Sequence, residues 1–237
     1  MSQLLSVEFL KIKRRGIWLL IFLGPFGVVA LQAVNWGIRY DWLTAQHTGN
    51  LWAALLQNVG SLGVPALIIG STIITSMLAN MEHQSRSWKQ WFALPVSKSK
   101  FYVSKVMTSL ILLVVSTILL SVGAVILGVC LKFGTNIPIN DVIRYCALPT
   151  VAALPIILMQ LWLSVRFTNQ SLAISIGVLG TVISLWSYIA PKWLPWVWPF
   201  LVSPWGEMET LLLATVVGFL VGVVSLVDFV NKEVGSS

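Results

Sequence analysis

The chain has 237 residues, 57% of them hydrophobic and only 10% charged, with a net charge of +7. That balance excludes an ordinary soluble domain, in which about a quarter of the residues carry charge. It also argues against nucleic acid as a partner, because the basic excess is collected beside apolar runs, where membrane topology accounts for it.

In chain order, residues 2–15 predict a basic amphiphilic helix with Leu5, Phe9 and Ile12 on one stripe, while Leu4, Val7 and Leu10 fall elsewhere. Six apolar runs follow, at about 17–34, 59–79, 106–131, 146–165, 172–190 and 211–230. They contain no Lys, Arg or Glu, and Asp228 is their one acid. About 20 apolar residues at 1.5 Å rise cross a hydrocarbon core of about 30 Å. Backbone groups in lipid must be satisfied within the segment, so each run reads as a spanning helix. The expected fold is an all-α polytopic membrane protein, one transmembrane domain over 1–237. Val28-Val29-Ala30 resembles a signal-peptidase site, but the first run is longer than a usual signal core and five more runs follow it.

Charge sets the expected orientation. Lys11, Lys13, Arg14 and Arg15 precede the first run; Arg86, Lys89, Lys98, Lys100 and Lys105 lie between the second and third; Arg166 and Lys232 fall on the same side. Only Arg39, Lys132, Arg144 and Lys192 fall on the other. The positive-inside rule then places both termini in the cytoplasm, and an even number of spans agrees. The twelve tryptophans gather near the run ends, as an interfacial belt would. Cys130 and Cys146 lie near the outer face, open to a disulfide across a short loop but more simply read as free thiols.

Several functions lack their residues. No run carries a mid-membrane Asp, Glu, His or Lys of the kind an ion-coupled carrier uses. His47 and His83, the only histidines, fall on opposite sides, and no metalloprotease, serine-hydrolase or phosphate-binding-loop motif occurs. No metal, catalytic residue or directly bound cofactor is expected. Uphill transport would need a partner's energy, and a unit of this size suggests a dimer.

The connection between the second and third runs is the informative one. Residues 82–94 suit a helix with Glu82 in its first turn, where acid complements the dipole, and Pro95 stops it. Ser97 or Ser99 then offers a cap for the next helix. Trp88, Trp91 and Phe92 share one face at i, i+3 and i+4, flanked by Arg86 and Lys89. Such a helix fits either the headgroup layer or a docking knob for a cytosolic protein.

The run Glu82…Ser87-Trp88-Lys89-Gln90-Trp91…Leu94-Pro95-Val96-Ser97-Lys98, with six runs and a basic lead-in, resembles permease subunits of ABC-2-type ABC transporters. The likeness is greatest to the small permeases of lantibiotic-immunity and related antimicrobial-peptide exporters. The resemblance implies a coupling helix built from Glu82, Arg86, Trp88, Lys89, Trp91, Phe92, Leu94 and Pro95 that enters a groove of an ATP-binding subunit. It implies that residues 2–15 form an elbow helix, and that the chain is no enzyme, ATP and Mg being bound by a cytosolic ATPase dimer. The other implied partner is a second copy or a sibling permease in a bacterial cell membrane. The substrate would be an amphiphilic peptide, exported for self-immunity. The rival reading is a non-transporting immunity, sensor or assembly factor.

Two further stretches carry expectations. Residues 190–207 are apolar but broken by Pro191, Pro195, Pro199 and Pro204, so they form no single span. Trp193, Trp196, Trp198 and Trp205 there offer either substrate contact in the outer leaflet or an aromatic anchor. Gly218-x-x-x-Gly222 permits close helix approach, and is a candidate dimer seam. The hydroxyls of Ser71, Thr72, Thr75 and Ser76 face a path or, more commonly, bond carbonyls one turn back.

Overall fold

The computed structural model describes residues 2–13, 15–47, 49–84 and 97–231. Helices are α1 (Ser2–Ile12), α2 (Ile17–Ile38), α3 (Tyr40–Gln46), α4 (Leu51–Gln84), α5 (Lys98–Cys130), α6 (Ile139–Arg166), α7 (Gln170–Leu185) and α8 (Glu207–Asn231). A 3-10 turn, Pro195–Phe200, lies between α7 and α8, and no strand occurs among the described residues. Gly16, at φ 72°, makes the break between α1 and α2, a left-handed conformation that glycine adopts without strain. Ser97 caps α5 by accepting from the Lys100 N–H, and Asn169 caps α7 by accepting from Ser171.

Five helices, α2, α4, α5, α6 and α8, are long and apolar enough to cross a membrane; α7 is apolar but has 16 residues. At 1.5 Å per residue it reaches about 24 Å, short of a hydrocarbon core of about 30 Å. The sequence predicts a run continuing to residue 190, but the helix tightens at its end, where Trp186 and Ser187 donate to the Ile183 and Ser184 carbonyls. α6 is continuous but uneven: Ile143–Ala147 is π-helical, and Pro149 and Pro155 each open a new stretch.

α4 is the centre of the assembly. Its 34 residues pack on α2, α5, α6 and α7, while α8 lies on α6 and α5. Ile12, Ile21, Ile74, Leu78, Leu112 and Ile157 form one core near α1, and Trp36, Leu55, Val59, Ala124, Leu127 and Cys146 another toward the opposite end. Three of the four α4 hydroxyls bond back along their own helix: Ser71 and Thr72 to the Ile68 carbonyl, Thr75 to that of Ser71. Ser76 instead reaches Gln170 of α7 at 2.9 Å. Cys130 and Cys146 are both free.

Gly218 and Gly222 make a close approach within the chain. A Cβ on Gly218 would meet Leu154 and Pro155 of α6 at 3.1 and 3.3 Å, and one on Gly222 would meet Leu158 at 3.5 Å.

Candidate functional site

At the α1 end, four charged side chains from three helices meet. Glu8 and Lys11 lie one turn apart on α1; Glu82 occupies the last turn of α4; Lys105 lies in the second turn of α5. Lys105 Nζ donates to Glu8 Oε2 at 2.5 Å, to Glu82 Oε1 at 2.8 Å and to the Leu78 carbonyl at 3.5 Å, so its three donors are all used. Lys11 Nζ donates to Glu82 Oε1 at 2.7 Å and to Glu8 Oε1 at 3.4 Å. Glu8, Glu82 and Lys105 are each 1% exposed. Two positive and two negative charges cancel, the condition under which ions are tolerated out of water.

This corrects the reading of Glu82. α4 runs unbroken from Leu51 to Gln84, so Glu82 lies within that helix instead of beginning a new one. A buried carboxylate needs counter-charge; Lys11 and Lys105 supply it, and Glu82 faces inward, 1% exposed. The rest of the expected coupling set, Arg86, Trp88, Lys89, Trp91, Phe92, Leu94 and Pro95, lies outside the described residues. What the structure does describe is the pair of helix ends flanking residues 85–96, bound to each other and to α1.

The start of α5 is held from a second side. Tyr102 and Phe101 lie against Phe229 of α8, ring centroids 5.2 and 6.4 Å away, and Lys98 Nζ donates to the Val230 carbonyl at 3.2 Å. Beside them Asp228 accepts from Trp162 Nε1 at 2.9 Å and pairs with Arg166 at 3.5 Å.

One sign of the cluster was present in the sequence. Leu5, Glu8, Phe9 and Ile12 stand at i, i+3, i+4 and i+7, so Glu8 sits inside the apolar stripe of α1. A charge on a buried face requires a partner. Lys11 and Lys105, counted as topology signals, were the partners.

The opposite end is aromatic. Trp198 is buried and donates its Nε1–H to the Lys192 carbonyl at 3.0 Å, and Trp196 packs over Gly180 of α7 with Val64, Ile68 and Ile156 beneath. Of the four tryptophans expected to meet substrate, Trp193 and Trp205 are exposed, while Trp196 and Trp198 turn into the fold. Trp36 and Trp52 are likewise core residues, edge-on to Phe133. Arg144 and Glu207 pair at the rim of a cavity of about 190 Å³ lined by Gln57, Ser61, Tyr188 and Phe200. No group of three His, Cys, Asp or Glu that could hold a metal occurs among the described residues.

A family model described as ABC-2 family transporter protein matches residues 4–184, from α1 nearly to the end of α7. The chain belongs to the ABC-2 transporter family. No curated protein and no solved structure matches it. Membership implies a multi-pass membrane protein serving as permease beside an ABC ATPase. The matched stretch of this ABC-2 chain contains all four members of the ion-pair cluster and the 85–96 connection; the 3-10 turn and α8 lie beyond it.

Proposed function

We propose that this ABC-2 chain is the permease subunit of an ATP-driven exporter in the bacterial cell membrane, with six spans and both termini in the cytoplasm. It works with a cytosolic ATPase dimer and with a second copy of itself or a sibling permease. Hydrolysis belongs to the ATPase, and this chain binds no cofactor directly. The substrate is an amphiphilic antimicrobial peptide, such as a lantibiotic, removed for self-protection. Exposed Trp193 and Trp205 on the loop between α7 and α8 offer amphipathic rings suited to such a solute.

The observation that carries the coupling part is the buried joint between Glu82 and Lys105, the two ends of the connection, with α1 tied to both. A push delivered to residues 85–96 is borne by α1, α4 and α5 together, the behaviour a rigid-body switch needs. In the test, the chain is co-expressed with its ATP-binding partner. Replacing Trp91 and Phe92 by Ala is expected to weaken capture of the ATPase about 30-fold or more, the effect of losing a hot spot of about 2 kcal/mol, while membrane insertion is kept. Unchanged capture removes the docking reading. Full survival against the peptide after loss of the ATPase's catalytic acid would make the chain a passive immunity factor instead.

A further inference from the structure

Between α2, α4, α5 and α6 lies a cavity of about 210 Å³. Its walls are largely apolar, with Leu20, Leu23, Leu67, Ile73, Leu113 and Leu120 prominent. Ser116, Thr117, Tyr145 and Thr150 bring the hydroxyl-bearing side chains to its lining; those of Thr117 and Thr150 bond each other at 2.7 Å, and Thr117 also reaches the Leu113 carbonyl at 3.0 Å. A buried water needs two to four polar partners, whereas an apolar cavity of about 150 Å³ stays dry and accepts benzene. The chemistry of this space favours hydrocarbon.

Two of its glycines border open space. Gly24 of α2 and Gly70 of α4 line the cavity, and a Cβ on either meets no atom within 4 Å. Several other glycines of the spans are placed by contact, Gly128 against Trp52, Gly177 against Thr72 and Gly218 against Leu154, whereas Gly27 and Gly37 of α2 also meet nothing but lie outside the cavity lining. Glycine in a helix interior is disfavoured relative to alanine. At Gly24 and Gly70 no packing contact offsets that cost; what the missing side chains leave is room.

The cavity has an apolar neighbour. A groove between α2 and α5, lined by Phe22, Phe26, Leu119 and Gly123, adjoins it and shares Leu23 and Pro25. Phe22, Leu23 and Phe26 are exposed, as side chains facing acyl chains are. At mid-membrane depth the molecules within reach are hydrocarbon tails. We propose that this cavity is a binding site for one straight acyl chain of a bilayer phospholipid, which enters through the groove between α2 and α5.

The test needs no ATPase, so it stands or falls apart from the function proposed above. The full chain is placed in phosphatidylcholine vesicles containing a small share of phospholipid with a mid-chain diazirine, illuminated, digested, and its adducts mapped by mass spectrometry. Adducts are expected on residues 66–74 and 113–120. In the Gly24→Leu/Gly70→Leu variant they should fall about tenfold, because close-packed space cannot be shared. Labelling of exposed Phe219 and Val224 should not change. The variant's thermal midpoint should be equal or higher, since neither new side chain meets an obstacle at its Cβ. Equal labelling of the cavity peptides in both proteins overturns the site. A second arm adds an unlabelled N-myristoylated peptide: adducts that persist support the bilayer lipid, and adducts displaced at equal tail concentration overturn that assignment in favour of a solute's tail.

Discussion

At the α1 end of the bundle, four charges from three helices lie within 3.4 Å of their partners, three of them almost out of reach of water and Lys11 at the edge. At the other end the joints are rings: Trp36 of α2 and Trp52 of α4 edge-on to Phe133, Trp196 seated on Gly180 of α7, Trp198 under its own loop. Both ends are well filled, but they fail differently. Contact between apolar surfaces is graded, so a smaller or displaced ring loses a share of it. A buried ion pair is close to all-or-none, because removing one partner leaves the other charge without water or counter-ion. The charged end therefore holds one arrangement stringently, and the aromatic end tolerates adjustment.

The largest expected effect tests that stringency. Lys105→Met keeps much of the side chain's bulk but leaves two buried carboxylates with only Lys11 between them, and should cost about 3–5 kcal/mol in denaturant titration of the detergent-solubilised chain. Replacing Glu8, Lys11, Glu82 and Lys105 together by Met should recover most of that loss, since a wholly apolar filling avoids the desolvation cost. A loss below about 1 kcal/mol for Lys105→Met alone would mean the cluster is hydrated, and the contrast between the ends would collapse.

An intermediate effect is expected at the aromatic end. Gly180→Ala places a methyl group against the Trp196 indole and should cost about 1–3 kcal/mol, the usual range for overpacking. Gly222→Ala meets only Leu158 at ordinary contact distance and should be neutral or stabilising by up to about 1 kcal/mol through helix propensity. Equal losses at the two glycines in the same titration would mean that seating of the indole is not what fixes Gly180.

The smallest effect sharpens the meaning of charge itself. Arg144 and Glu207 pair where their side chains are 49% and 36% exposed. Arg144→Gln should cost less than about 1 kcal/mol and lose even that in high salt. A loss comparable to that of Lys105→Met would show that burial is not what separates the two ion pairs.

Much of the architecture was legible because lipid imposes a simple code of length and apolarity. The run at 59–79 lies inside α4, which spans Leu51–Gln84, and the run at 106–131 ends one residue past α5, which begins eight residues earlier and spans Lys98–Cys130. Hydropathy marks the depth of hydrocarbon, whereas a helix ends where a cap or breaker stops it, and no glycine or proline stands between Ala79 and Gln84. That is why Glu82 was read at the start of a helix. The tryptophans were legible as residents of helix ends, but not their facing, since a ring that prefers the interface also fills a core. The ion cluster was hidden by distance along the chain: Lys105 is 97 residues from Glu8 and 23 from Glu82. Glycine spacing at 218 and 222 announced a close neighbour without naming α6.

Pro25 and Pro65 bring the halves of the molecule into one mechanical account. Each stands inside its helix, in α2 and α4, and each deletes one backbone hydrogen bond, to the Ile21 and Ser61 carbonyls respectively. Pro25 lines the mid-membrane cavity, and Pro65 stands between Gly63 and Ala66, which also line it. The helices walling that space thus bend most cheaply at its own level. If the charged end is pushed as a block while the aromatic end holds, the strain gathers at these two prolines, and the cavity is the part of the protein whose volume changes first.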